Sequence, residues 1–169
     1  MNTLKKLAMA LPVLALLAFL VFTLTQQQLA PNVIFTTIQG KKISMASLKG
    51  KVVLVNFWAT DCRACVTEMP ALANTYNLYK AKGFEVIAVA MPYDPPAQVL
   101  NYVTQKKLPF PVMDDGFGEM TSKFDDISVT PTTYIYNQQG KLIQYTNGAL
   151  NFKKLHQLLD RELLVKELS

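Results

Sequence analysis

Thiols and imidazoles are scarce in this chain, which has two cysteines and one histidine among 169 residues. Two cysteines cannot build the multi-bridge framework of a small disulfide scaffold. They also fall short of structural zinc, which takes four ligands, usually as two paired half-sites. The lone His156 stands far from both cysteines, in a leucine-rich segment. Concentrated charge is missing too. The formal net charge is +5, yet lysines such as Lys80, Lys106 and Lys123 are scattered. Without a dense basic tract, a nucleic-acid partner is not expected. Repeats and low-complexity segments are absent, and a hydrophobic content of 50% argues against disorder.

What is present begins with an apolar run. Leu7 to Leu24 is an 18-residue stretch without a charge, preceded by Lys5 and Lys6. As a helix it would measure roughly 27 Å, close to the hydrocarbon core of a bilayer. The two lysines favour a cytoplasmic N-terminus and an exported remainder. The following F-T-L-T-Q-Q-Q-L-A-P holds a poor cleavage pattern at Gln28-Leu29-Ala30. The run is therefore expected to persist as a signal anchor, with a cleaved signal peptide as the alternative. No cysteine near its end could carry a lipid. The predicted organisation is residues 1–28 as anchor or signal and 29–169 as one α/β domain.

The domain reads as alternating strands and helices. Val33-Ile34-Phe35 and Lys41-Lys42-Ile43, separated by Gln39-Gly40, predict a hairpin. Lys51 to Phe57 and Phe84 to Ala90 are nearly continuous apolar runs, suited to central strands covered on both faces. Between them Cys62 to Lys82 predicts a helix that stops at Gly83, making a βαβ unit. A helix over Pro95 to Lys107, a short strand at Phe110 to Met113 and a short helix at Gly118 to Phe124 follow. Thr132 to Tyr136 and Lys141 to Tyr145 flank a turn, and Phe152 to Leu168 is an amphipathic helix.

Both cysteines fall at the start of the first long helix, two residues apart, in W-A-T-D-C-R-A-C-V-T-E-M-P. A disulfide over so short a loop stabilises by only roughly 2 kcal/mol, a poor return for a structural staple. A redox role explains more. At a helix start, Cys62 would face unpaired N–H groups and the positive end of the dipole, which favour thiolate. Cys65 would lie one turn deeper on the same face. Cys62 is then the attacking thiol and Cys65 the resolving one, exchanging through a mixed disulfide. No cofactor is needed. Arg63 adds positive charge beside the helix start and Asp61 opposes it. Glu68 falls on the same stripe as Cys65, where a carboxylate could take the thiol proton. Thr130-Pro131, just before a buried strand, predicts a cis peptide, with Thr130 beside an extended substrate. A copper site using the two thiols and His156 is an alternative.

With these residues in place, F-W-A-T-D-C-R-A-C-V-T-E-M-P resembles the active-site signature of the thioredoxin superfamily, and V-T-P-T-T-Y-I-Y resembles its cis-proline loop. The likeness runs from about Val33 to the last helix. It is most similar to the membrane-anchored TlpA/ResA-type thiol–disulfide reductases, with a domain of the AhpC/TSA–Redoxin kind. The resemblance implies a thioredoxin-like fold: a central mixed sheet flanked by helices, with an N-terminal hairpin and an inserted helix and strand. It implies catalytic Cys62, Cys65 and Glu68, and substrate contacts at Trp58, Thr130 and Pro131. It implies a periplasmic reductase of disulfide-bearing or oxidised exported proteins, held in the inner membrane by its N-terminal helix. An integral membrane thiol carrier would supply its electrons. The chain departs from thioredoxins at Asn56, where they carry Asp, at Asp61 and at Arg63-Ala64. It also lacks the G-V-x-G-x-P-E-T stretch of the cytochrome-maturation branch. An oxidase uses the same residues in the opposite direction. A peroxiredoxin-type peroxidase would want T-x-x-C, whereas Ala59 stands three before Cys62.

Overall fold

The strand Val52–Trp58 (β3) is buried at every position, which is why its sequence carries no polar alternation. The computed structural model describes residues 28–164, with Leu16 alone before them. Apart from Leu16, the apolar run expected as an anchor lies outside the described residues. Among those described, no helix is long and apolar enough to cross a membrane.

Before β3, Ile34–Thr36 (β1) and Lys42–Ser44 (β2) form the predicted antiparallel hairpin, and a 3-10 turn covers Met45–Leu48. After it come Arg63–Tyr79 (α1), Phe84–Ala90 (β4), Pro96–Lys106 (α2) and Val112–Asp114 (β5). The chain then builds Glu119–Lys123 (α3), Thr132–Tyr136 (β6), Leu142–Asn147 (β7) and Phe152–Leu164 (α4). The main sheet has the order β5-β4-β3-β6-β7. Strands β3, β4 and β5 are parallel, and β6 and β7 add antiparallel partners. This is the mixed sheet flanked by helices that the family resemblance implies.

Two apolar layers sandwich the sheet. Val52, Leu54 and Trp58 face α1, α2 and α4 through Leu72, Val99 and Leu159. Val53, Val55 and Phe57 face the hairpin, the 3-10 turn and α3 through Phe35, Leu48 and Met120. Alternation along β3 places Asn56 on the first of these faces, between Leu54 and Trp58. It is the one polar residue of a wholly buried strand.

Most boundaries move by one or two residues from the sequence reading, and two of the shifts have a plain cause. The first long helix changes to 3-10 at Lys80–Lys82 before Gly83 ends it with φ 101°, a conformation glycine adopts without penalty. Strand β5 begins at Val112 because Pro111 has no N–H to give the ladder; its carbonyl accepts from Ala88 N instead.

Candidate active site

Cys62 is the N-cap of α1. Its backbone is extended (φ −80°, ψ 102°), and its carbonyl accepts the first helical bond, from Val66 N at 3.1 Å. Its Sγ accepts the Cys65 N–H at 3.2 Å, so the sulfur does the work of a capping oxygen. The two sulfurs are joined, with Cα atoms 5.3 Å apart. Cys62 is half-buried whereas Cys65 is 0% exposed. That asymmetry decides their order: only the outer sulfur can meet another molecule. Once reduced, its thiolate would keep the Cys65 amide and the positive end of a 17-residue helix.

The loop from β3 to α1 is fixed by a residue that sequence reasoning missed. Asp94, 3% exposed, accepts from Thr60 N and Thr60 Oγ1, each at 2.6 Å. One carboxylate thus holds both donors of the residue two places before Cys62. Its signal was present in P-Y-D-P-P, an acidic residue among turn-formers just after a buried strand. Asp94 and Asp115 also act on Asp114, whose carboxyl is pushed up first by burial and then by these two like charges. Asp94→Ala leaves two donors without their ionised partner. A loss of about 2 kcal/mol is expected, which is a fall in melting temperature of about 6 °C for a domain of this size. An unchanged melting temperature would show that the clamp holds nothing.

Trp58, expected at the substrate, is 0% exposed and packs on Tyr102 at 5.2 Å between ring centroids. In the disulfide state its side chain supports the loop from within and meets no visitor. The Thr130–Pro131 peptide is cis, as predicted. Thr132 opposes Phe57, so Pro131 stands one step further, level with Trp58 and the chain leading to Cys62. Pro131 is buried and its carbonyl accepts from Gly148 N at 2.8 Å, while Thr130 is half-buried.

Glu68 is 6% exposed, one turn beyond Cys65 on the buried stripe of α1. Its Oε2 accepts from Leu150 N at 2.9 Å and its Oε1 from Asn56 Nδ2 at 3.4 Å. Burial pushes its carboxyl above the usual range, and the two bonds pull partly back. A carboxyl so placed is suited to gaining and losing a proton. The Leu150 donor lies 82 residues away on a turn after β7, which no local pattern announces.

His156 does not join this group. Its Nε2 is 2.9 Å from Thr75 Oγ1. Thr75 is ten residues past Cys65 on α1, about 15 Å along the helix. The copper site sharing both thiols with His156 is therefore not formed: α4 meets α1 two turns beyond Glu68. Among the described residues no cluster of three or more potential metal-ligating His, Cys, Asp or Glu side chains occurs.

The Redoxin family model matches residues 25–159, the hairpin, cysteine pair and cis-proline loop included. The chain belongs to the Redoxin family. This Redoxin protein is 38% identical over 132 residues to the thiol-disulfide oxidoreductase ResA of Bacillus thuringiensis subsp. konkukian, covering 78% of this chain and 75% of that one. It is 34% identical over 131 residues to ResA of Bacillus subtilis, covering 78% and 72%. Among solved structures it is similar to a candidate thioredoxin from Neisseria meningitidis, with TM-score 0.74 and 39% identity over 81% of this chain and 91% of that one. A thiol:disulfide interchange protein from Chlorobium tepidum gives TM-score 0.73 and 25% identity over 82% and 98%. The Redoxin domain with its joined C-x-x-C pair is a thiol–disulfide oxidoreductase, and proteins bearing disulfides are its substrates.

Proposed function

We propose that this protein works as a reductase outside the cytoplasm, anchored in the inner membrane by its N-terminal apolar run. The observation that carries the mechanism is the pairing of a half-exposed sulfur at a helix N-cap with a fully buried one a turn below. In the reduced protein the Cys62 thiolate attacks one sulfur of a substrate disulfide. A Cys62–substrate bond forms, the substrate bond breaks, and the second substrate sulfur leaves as thiolate. Cys65 then gives its proton to Glu68 and attacks Cys62 Sγ. The Cys62–Cys65 bond forms, the mixed disulfide breaks, and the substrate departs with two electrons more than it brought. Thr130 and Pro131, on the loop level with Trp58 at the end of β3, guide the extended substrate. A membrane thiol carrier restores the dithiol by the same exchange run backwards. The N-terminal lysines ahead of the apolar run support the outward orientation.

Cys65→Ser tests this directly. Without the resolving thiol, the mixed disulfide persists, and exported proteins should be recovered covalently joined to Cys62 and released by reductant. Recovery of the variant unlinked from its native membrane would overturn exchange with proteins. The direction is tested by the reduction potential. A value near thioredoxin's, about −270 mV, supports the reductase, and one near that of a strong oxidant, about −120 mV, reverses it.

A further inference from the structure

Asn56 is 0% exposed, yet its Oδ1 is buried without any hydrogen-bond partner. Its Nδ2 meanwhile donates twice, to Thr133 Oγ1 at 3.0 Å and to Glu68 Oε1 at 3.4 Å. An orphaned carbonyl in a well-packed strand costs stability and calls for a reason. Thr133 opposes Asn56 directly across β3 and β6, so the two side chains share one face of the sheet.

The reason lies in what Glu68 needs in its two states. As a carboxylate it is an acceptor and needs a donor beside it; as an acid it carries an O–H and needs an acceptor. A primary amide offers both, a half-turn apart. With Nδ2 toward Glu68, as observed, the carboxylate is served. With the amide turned over, Oδ1 accepts from the acid. The Thr133 hydroxyl follows, accepting from Nδ2 in one state and donating to Oδ1 in the other. One amide atom is left unpaired either way, so neither state is favoured strongly at the amide. An Asp at this position would instead place a second carboxylate against Glu68.

We propose that Asn56 and Thr133 are positioning residues for proton transfer between Cys65 and Glu68, the Asn56 amide turning over as the proton arrives and leaves. The inference rests on the exchange mechanism above and adds the device that lets a buried carboxyl cycle. Among the described residues no other charge acts on Glu68. On the face toward Glu68, β3 and β6 present Asn56 and Thr133, and α1 presents the cysteines. On α4, His156 is held at Thr75, and Lys153 and Lys154 are exposed. Burial pushes the Glu68 carboxyl up, and the bonds from Leu150 N and Asn56 Nδ2 pull it only partly back.

The test is the pH profile for resolution of a preformed Cys62–peptide mixed disulfide on the full chain. Asn56→Leu removes the side-chain donor to the carboxylate, and Thr133→Val strands one Nδ2 hydrogen in that state. Both should move the midpoint upward by about one pH unit, seen as roughly tenfold slower resolution below the midpoint and equal rates well above it. Thr133→Ser should restore the profile. Introducing Glu68→Gln should erase the displacement. Equal slowing at every pH, or a displacement that survives Glu68→Gln, would overturn the proposal. If Asn56→Leu does not fold, the Thr133 pair decides alone. Failure of the wild type to resolve any mixed disulfide would sink the exchange mechanism itself, a separate outcome from an unmoved midpoint.

Discussion

Cys62→Ser should abolish disulfide reduction, lowering turnover by about 10³-fold or more, while the protein stays folded. The expectation follows from the asymmetry of the pair. Cys65 is 0% exposed and cannot stand in for the outer sulfur. A serine hydroxyl at position 62 can still accept the Cys65 N–H that the sulfur now accepts at 3.2 Å, so the cap survives. The bridge closes a very short loop and contributes only about 2 kcal/mol, so its loss is tolerable. Activity toward a disulfide peptide, followed together with the melting temperature, checks both halves. Residual turnover within tenfold of wild type would move the nucleophile elsewhere.

Glu68→Gln should separate function from stability, with opposite signs. Without a proton acceptor, resolution at neutral pH should slow by about 10²-fold. The oxidised fold should nonetheless become more stable at neutral pH. The folded-state pKa of Glu68 is raised above 4.5, chiefly by burial. Between 4.5 and that raised value the native state holds more protons than the unfolded chain, so stability falls as pH rises through the window. Below 4.5 the stability linked to this group is fully present; above the folded value it is lost. Gln is neutral throughout. It can accept from Leu150 N while its amide N–H meets the Asn56 oxygen, the arrangement drawn above for the acid. Denaturant titrations of the oxidised wild type and variant at pH 4 and pH 8 should show the gap opening at the higher pH. A variant equally or less stable at pH 8 would mean that the buried carboxylate is better served than its surroundings indicate.

The frame of this site was legible in the sequence for a simple reason. K-V-V-L-V-N-F and F-E-V-I-A-V-A are strands buried on both faces, and such runs declare themselves by composition. The cysteines then had only one place to go, the turn out of the first strand. What stayed hidden were bonds between distant segments. Glu68 shows the limit. Its stripe on α1 was readable, but its burial depends on Leu150 N and Asn56 converging from two other elements. Asn56 was noticed as a departure from thioredoxins, but its bond to Thr133 needed the β3–β6 register. Asp94 was lost because a turn aspartate commonly caps its own turn, and this one reaches 34 residues back to Thr60. The resemblance implied a substrate contact at Trp58, and strand alternation instead turns its ring inward against Tyr102.

The segments ahead of β3 also do something for the sheet they precede. Leu29 bridges Lys141, and Leu142 N donates to Gln28 O, so the outer rim of β7 is met where the strand begins. Thr37 bridges Met113, and Ile38 N donates to Val112 O, so the outer rim of β5 is occupied as well. A sheet with free outer strands recruits neighbouring molecules by the same ladder bonds. Here one short leader covers the outer rim of β5 and the start of that of β7. A chain shortened to begin at residue 39 would bare these edges and also lose Val33 and Phe35 from the layer under β3, and should clump in solution even with its cysteines intact.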